Sequence, residues 1–498
     1  MSGPAGPVDG DLLDRARQWA AADPHPGDRA EIEELVAAAP GDPAAAAELA
    51  RRFAGPLTFG TAGLRGPLRA GPAGMNAAVV VRAAAGLARY LTDEGHAGGT
   101  VVVGFDARHR SQEFARLSAE VFAGAGFVVQ VQPRPLPTPL LAFAVRHLGA
   151  VAGVVVTASH NPPQDNGYKV YLADGAQLVP PADRRIEAAI SAVGPAAEVP
   201  REGGWGVLGD DLVDEYVAAV LRALEADRVD PAARARLRVA YTAMHGVGAQ
   251  TTRTVFAAAG LAEPASVAEQ DAPDPAFPTV AFPNPEEPGA VDLLLALAER
   301  TGADVAIAQD PDADRCSVVC GGRQLTGDEV GALLADWLLR RGVRGTYAAS
   351  LVSGSLLHAL AAAHGVPFAE TPTGFKWIVR AGEPGRPLVF GYEEALGYAV
   401  APDVVRDKDG ISAALAVALL AAELGTSGRT LLDRLDELAR EHGLFATGQL
   451  SVRVEDLSVI SGAMARGGGA PPPPPPARPP APAPPPPPHP PPHPPPLA

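Results

Sequence analysis

VAGVVVTASHNPPQDNGYKVY, residues 151–171, decides the fold class. Its apolar start, 151–156, reads as a buried strand that opens straight into Thr157, Ala158, Ser159 and His160. Asn161-Pro162-Pro163 bars an immediate helix, because proline fixes φ and has no amide donor. Ser159 therefore stands where a strand ends in a loop, the place where α/β folds hold ligands. A serine alone is a weak nucleophile and needs a base or a cationic group beside it. His160 and Lys169 are the candidates. A plain polar turn would account for Ser-His-Asn-Pro-Pro, but not for the Asp165-Asn166-Gly167-Tyr168-Lys169 that follows.

Strand-like and helical runs alternate on both sides of this stretch. VVVGF at 101–105 and FVVQV at 127–131 read as strands, with helical spacing at 112–125 between them. The pattern recurs in LRVAYTAM at 237–244 with a helix near 249–259, and in ADVAIAQD at 303–310. It recurs again in TYAASLV at 346–352, a helix near 355–364, PLVFGY at 387–392 and a long helix near 410–424. Such alternation implies βαβ units. The expected fold is α/β: three consecutive α/β domains with mixed, mainly parallel sheets around a central cleft. Residues 1–44 form an N-terminal arm, with two Ala-rich helical segments within 1–50. The domains follow at 45–204, 205–322 and 323–440. The Gly/Pro-rich stretch 194–206 suits a linker and 271–289 a long loop. Residues 441–469 read as the remnant of a fourth, α+β domain. Residues 470–498 read as a disordered tail, since 20 of the last 28 residues are proline.

A second motif ends the strand at 303–309: Asp310-Pro311-Asp312-Ala313-Asp314-Arg315. Three carboxylates on alternate positions repel one another unless a cation joins them. All-oxygen ligation suits a hard divalent ion, Mg²⁺ above all, which could neutralise a phosphate oxygen. The Gly and distal Glu of an EF-hand loop are missing.

The 498 residues include 47% hydrophobic and 20% charged residues, enough for several cores, with a net charge of −16. Nucleic acid and anionic membrane surfaces are therefore poor partners, and an anionic substrate needs a local cationic pocket. No signal peptide or membrane span is expected, and a cytoplasmic location fits the two cysteines, Cys316 and Cys320, read as buried core thiols. Of 41 Lys plus Arg residues only Lys169, Lys376 and Lys408 are lysines. In a chain whose composition favours arginine, a retained lysine marks a place that needs a flexible ammonium.

The serine motif followed by the aspartate motif resembles the α-D-phosphohexomutase family. Further stretches fit it: Thr58 to Gly66 (TFGTAGLRG), Gly104 to Arg108 (GFDAR), Tyr241 to Gly248 (YTAMHGVG), Thr373 to Trp377 (TGFKW), Phe390 to Tyr398 (FGYEEALGY) and Arg406 to Gly410 (RDKDG). Their wording is similar to the phosphoglucomutase-2/phosphopentomutase-like branch, and coverage runs from about 45 to 465. The resemblance implies a phosphosugar mutase, an isomerase of the intramolecular phosphotransferase type. It would interconvert sugar 1- and 6-phosphates of glucose or mannose, or pentose 1-/5-phosphates, through a phosphoserine and a bisphosphate intermediate. It implies that Ser159, His160, Lys169, Arg65 and Arg315 are catalytic. One Mg²⁺ per chain would be held by Ser159, Asp310, Asp312 and Asp314. Thr373, Gly374, Lys376, Glu393 and Lys408 would bind substrate, and a sugar bisphosphate would act as activator. The partners implied are sugar phosphates, with a monomer or weak dimer as assembly. The family often has Glu-x-Ser where this chain has Glu393 and Ala395, which removes one hydroxyl contact.

The Arg-Pro-Ser-Gly-Thr loop that grips the substrate's second phosphate in the family's fourth domain does not occur in the sequence. The expectation is a truncation or frame shift after Ser451 to Asp456, and no phosphate-binding loop residue is assigned there. Two other readings compete: a truncated, weakly active or inactive mutase-like protein that binds metal or sugar phosphate without efficient turnover, and an aspartyl-phosphate phosphatase with Asp310 as nucleophile.

Overall fold

The β-branched and aromatic runs read as strands in the sequence do form them, and further short strands join them in each sheet. β1 spans Leu64–Pro67, β2 Thr100–Phe105, β3 Val128–Val131, β4 Ala152–Val156, β5 Asp165–Leu172 and β6 Gly206–Val207. They form one sheet in the order β1-β5-β4-β2-β3-β6, parallel from β4 to β6 and antiparallel at β1 and β5. β7 (Val239–Thr242), β8 (Ala265–Ser266), β9 (Val305–Ala308), β10 (Ser317–Cys320) and β11 (Arg323–Gln324) form a second sheet, β11-β10-β9-β7-β8. β12 (Thr346–Ser350), β13 (Phe368–Thr371), β14 (Leu388–Glu393) and β15 (Gly397–Ala399) form a third, β13-β12-β14-β15. Each sheet is mixed, with parallel pairs joined to antiparallel strands at an edge. The chain thus holds three α/β domains. The structure is a computed structural model and describes residues 9–60 and 63–448, with 459, 462 and 463. The proline-rich tail and nearly all of the expected fourth-domain remnant beyond 448 lie outside the described residues.

Alternation along the strands divides the cores. Val101, Val103 and Phe105 of β2 pack in one cluster with helices Ala77–Asp93, Ser111–Gly124 and Ala182–Ser191. Val102 points the other way, into a larger cluster shared with Ile307 and Val318 of the second sheet and Tyr347 and Phe390 of the third. This shared core holds the ends of β4, β9 and β14 in fixed relation. Cys316 and Cys320 are both buried and free. Among the described residues no helix is long and apolar enough to cross a membrane.

The N-terminal arm contains three helices, Gly10–Ala22, Pro26–Ala38 and Pro43–Arg52, where the sequence suggests two. The extra boundary is a proline at a first helical position. Pro43 follows Asp42, whose side chain accepts from Ala44 N, and Pro26 follows His25, which caps Asp28 N in the same way. Asp28 ties the arm down: it accepts from Ala77 N at 3.1 Å and from both terminal nitrogens of Arg110 at 2.6 and 2.9 Å. The stretch read as a linker at 194–206 instead leads back along the first sheet, where Gly206–Val207 pairs with β3.

Asp23 closes the first arm helix with no exposed surface. One carboxylate oxygen accepts from His25 N at 2.9 Å and the other has no hydrogen-bond partner among the described residues. Burial, helped by the nearby charge of Asp28, pushes its pKa up to about 6. The folded state therefore holds this proton more tightly than the unfolded chain, and the group costs stability as pH rises through that value. In urea unfolding between about pH 4 and pH 7, wild type should lose stability relative to Asp23→Asn as pH rises, with most of the change before pH 7.

Candidate active site

β5 shows how the strands aim their side chains. Tyr168 and Val170 enter the first-sheet core, so Lys169 and Tyr171 face the opposite side, toward the second and third domains. β4 ends at Val156, and the chain turns so tightly that Ser159 takes a left-handed φ of 52°. That conformation is uncommon for a residue with a side chain and persists only where its surroundings enforce it. Here Ser159 N donates to Thr157 Oγ1 at 2.8 Å, and Arg108 holds the loop from outside. The Arg108 guanidinium donates to the carbonyls of Ser159 (2.6 Å), Asn161 (2.5 Å), Pro162 (2.8 Å) and Asp165 (3.2 Å). Its other face lies on the Phe277 ring, 4.9 Å from the centroid.

The Ser159 hydroxyl donates to Asp310 Oδ2 at 2.7 Å and lies 3.2 Å from His160 Nδ1. Asp310, Asp312 and Asp314 follow β9 with donor oxygens all within 4.8 Å, and all three are buried. Ala313, between two of them, has a φ of 57°. Lys169 Nζ donates to Asp312 Oδ2 at 2.6 Å and to Asp314 Oδ2 at 2.8 Å. Lys408 Nζ lies 3.5 Å from Asp314 and 3.5 Å from Asp407.

Burial, then the charges of Asp312 and Asp314, push the Asp310 carboxyl well above the carboxylate range. Burial acts on Asp312 too, but the Lys169 ammonium and the Thr138 hydroxyl outweigh it and hold Asp312 below its usual value. Asp314 is likewise lowered: burial and Asp312 oppose its charge, and Lys169, Lys408 and Arg315 prevail. Asp312 Oδ1 and Asp314 Oδ1 are buried and accept from no group among the described residues. Two unpartnered carboxylate oxygens beside a third carboxylate and a hydroxyl fit a hard divalent cation. Among the described residues no other group of three His, Cys, Asp or Glu side chains could hold a metal ion.

Two guanidiniums complete the polar surroundings. Arg65 lies on β1 opposite Gly167 of β5, and its Nη1 reaches Asn161 Oδ1 at 3.5 Å. Arg315 pairs with Glu286 at 3.3 Å. The Nε of each is buried without an acceptor among the described residues. Burial, then Arg315 and Arg65, hold His160 well below the usual imidazole value, so its ring is neutral at pH 7. Glu393, at the end of β14, is buried. Burial raises its carboxyl, while Lys408 and Arg315 pull against that rise. Thus nine predicted side chains, from residues 65, 159, 160, 169, 310, 312, 314, 315 and 408, meet in one cluster bordered by Glu393. Thr373 and Gly374 precede the helical turn Phe375–Ile378. Lys376 on that turn has Asp183 and Arg380 as its charged neighbours.

Sequence reasoning did not assign several residues that shape this cluster. Arg108 belongs to the GFDAR stretch, which by itself assigns it no role. Thr138 starts the helix Thr138–His147; its N–H donates to the Asp312 carbonyl at 3.0 Å and its hydroxyl to Asp312 Oδ2 at 2.6 Å. A Thr-Pro before an apolar helical run is the signal that could have found it. Asp407 accepts from Tyr171 (2.7 Å) and Gln177 (2.6 Å), and Asp409 from Tyr216 (2.9 Å), joining RDKDG to the first domain and to helix Asp211–Ala223. Two glycines abut the aspartate loop. A Cβ at Gly246 would lie 2.4 Å from the Pro311 backbone, and one at Gly410 would lie 2.2 Å from the Arg315 carbonyl.

Residues 56–196, 214–323 and 326–441 match, in order, α/β/α domains I, II and III of phosphoglucomutase/phosphomannomutase. The chain belongs to the phosphoglucomutase/phosphomannomutase family. It is a phosphosugar mutase, an intramolecular phosphotransferase of the α-D-phosphohexomutase type. Among its relatives, a protein named as a probable phosphomannomutase of Haemophilus influenzae is 45% identical over 403 residues, 78% of this chain and 81% of that one. The phosphopentomutase of Mus musculus is 36% identical over 484 residues, 88% and 75% of the two chains. A crystal structure from Thermus thermophilus, described as a candidate phosphomannomutase, superposes with a TM-score of 0.68 at 32% identity, covering 78% of this chain and 84% of that one.

Arg108→Lys keeps the charge of this phosphohexomutase but loses the fork that spans four carbonyls. The expected result is a fall in kcat of about 100-fold with a smaller change in KM, since the Ser159 loop shifts rather than the sugar site. Steady-state kinetics on a variant that retains the wild-type circular dichroism spectrum measures it.

Proposed function

We propose that the chain interconverts the 1- and 6-phosphates of glucose and mannose, with pentose 1-/5-phosphates as a second class, through phosphorylated Ser159 and a sugar bisphosphate. The observation that carries this reading is the Ser159 hydroxyl 2.7 Å from Asp310, beside a carboxylate triad with two unpartnered oxygens and two guanidiniums, Arg65 and Arg315, whose Nε atoms have no acceptor among the described residues. The relatives named as a phosphomannomutase and a phosphopentomutase support the two substrate classes.

In the proposed reaction the sugar hydroxyl oxygen bonds to phosphorus as the bond to Ser159 Oγ breaks. The Ser159 oxygen keeps the electron pair and, in the second half, attacks the other phosphate of the sugar bisphosphate, whose bond to the sugar oxygen breaks and leaves the electron pair on that oxygen. Such a transfer depends on positioning and on spreading charge over the phosphoryl oxygens. The Arg65 and Arg315 guanidiniums and Lys169 are suited to receive that charge, and neutral His160, next to Ser159 Oγ, is suited to take or return a proton. Mg²⁺, held by Asp310, Asp312, Asp314 and an oxygen on Ser159, would neutralise negative charge on the transferring group. Glu393 can accept from two sugar hydroxyls, and Thr373, Gly374, Lys376 and Lys408 complete the sugar side. A sugar bisphosphate would charge Ser159 at the outset and so act as activator.

Incubation with glucose 1,6-bisphosphate and Mg²⁺ should add one phosphoryl group to the intact mass, mapped by peptide sequencing to Ser159, and Ser159→Ala should lower mutase turnover by on the order of 10⁴-fold or more. Label on Asp310 instead would overturn the reading in favour of an aspartyl-phosphate enzyme. Chelation should abolish turnover, with recovery on adding Mg²⁺, and Asp312→Asn should raise the Mg²⁺ concentration needed by about 10–100-fold, measured in the coupled glucose 1-phosphate assay.

A further inference from the structure

A cavity of about 400 Å³ lies between the first arm helix, Gly10–Ala22, the helix Ala77–Asp93 and the turn at 193–196. None of its lining residues belongs to the Ser159 cluster. Its volume is within the range of small-molecule sites, about 300–1,000 Å³. Trp19 and Phe53 form an aromatic wall, with ring centroids 6.3 Å apart and planes at 89°. Pro56, Pro72 and Pro195 add flat apolar surface.

The polar side chains here offer donors. The Arg82 guanidinium lies 5.9 Å from the Trp19 ring centroid and lines the cavity. It makes one hydrogen bond among the described residues, from Nη2 to the Val193 carbonyl at 3.3 Å, and its Nε is buried without an acceptor. Among the described residues no carboxylate lines the cavity, and burial alone draws the Arg82 pKa below the usual guanidinium value. The indole Nε1–H of Trp19 is also buried without an acceptor. Gln18, from the same arm helix, adds a further donor at the rim, where Arg15 is already paired with Asp11 at 3.1 Å. A half-buried guanidinium with one long hydrogen bond and no counter-charge is costly to hold, and an anion delivered to it recovers that cost.

We propose that this cavity binds a small organic anion: a flat apolar body against Trp19 and Phe53, and a carboxylate or phosphate head on Arg82 and the Trp19 indole N–H. Because the walls come from both the arm and the first domain, the occupant fastens the arm to the sheet that carries Ser159. Bound ligand then stabilises the folded chain by mass action. The site is separate from the sugar-phosphate cluster, so basal turnover without the anion does not depend on Arg82.

The test uses the full chain with 1-naphthoate, phenyl phosphate and the neutral 1-naphthalenemethanol as probes, followed by isothermal titration calorimetry and thermal unfolding. At least one anion should bind with a Kd below about 1 mM and raise Tm, and the neutral probe should not. Comparing the two anions tells whether a carboxylate or a phosphate head is preferred. Arg82→Met, which keeps the apolar stem, should weaken the bound anion about tenfold or more, and Trp19→Phe should weaken it less. Both variants should retain wild-type mutase turnover without the probes. Binding weaker than about 1 mM for both anions, equal binding of the neutral probe, or unchanged affinity in folded Arg82→Met overturns the proposal.

Discussion

Asp310, Asp312 and Asp314 bring three buried carboxylates within 4.8 Å of one another, and such an arrangement is stable only with cations around it. The chain draws those cations from all three domains. Lys169 comes from a strand of the first sheet, Arg315 from the aspartate loop itself and Lys408 from the third domain. The electrostatic demand of one loop in the second domain is thereby met only when the other two are docked. Removing one partner of a buried pair of this kind leaves the other charge stranded, a loss of about 3–5 kcal/mol. The relative placement of the domains and the poise of the site are therefore the same fact.

The shared apolar core supplies the rest. Residues that alternate along β2 and β4 divide between a cluster private to the first domain and one common to all three. The strand ends that carry Ser159, the aspartates and Glu393 are therefore fixed by packing before any charge is counted. Side chains that carry no chemistry then refine the positions. Arg108 pins the serine loop by its carbonyls, and Thr138 pins Asp312 from the start of a helix.

Much of this is legible in the sequence, for identifiable reasons. β4, β7, β9 and β12 are apolar, β-branched or aromatic runs, each within a stretch that reads as a strand, and β14 runs one residue past its stretch to Glu393. The serine and aspartate motifs are legible because each follows directly on an apolar strand, and three carboxylates on alternate positions repel one another unless cations join them. β5 is harder to see: it is a polar-looking DNGYKVYL whose alternation becomes meaningful only once Lys169 and Tyr171 have acids to face. The third arm helix is hidden inside a continuous Ala-rich pattern, broken only by Pro43 and its cap. Arg108 and Thr138 act on backbone carbonyls and on a distant carboxylate, and contacts of that kind leave no periodic trace along a chain. Lysine retention against an arginine-rich background points to Lys169 and Lys408 beside the aspartates, while Lys376 keeps company with Asp183 instead.

Gly246 and Gly410 press against the aspartate loop from two sides, with no room for even a methyl group at either contact. Seen as a question of descent, that loop is a fixed-length wedge. Lengthening it by a residue would force apart segments from the second and third domains at once, while a loop elsewhere on the surface could grow without consequence. Diversity among relatives should therefore accumulate around this wedge and not within it. The loops free of this wedge can change in length, while the aspartate loop keeps its own.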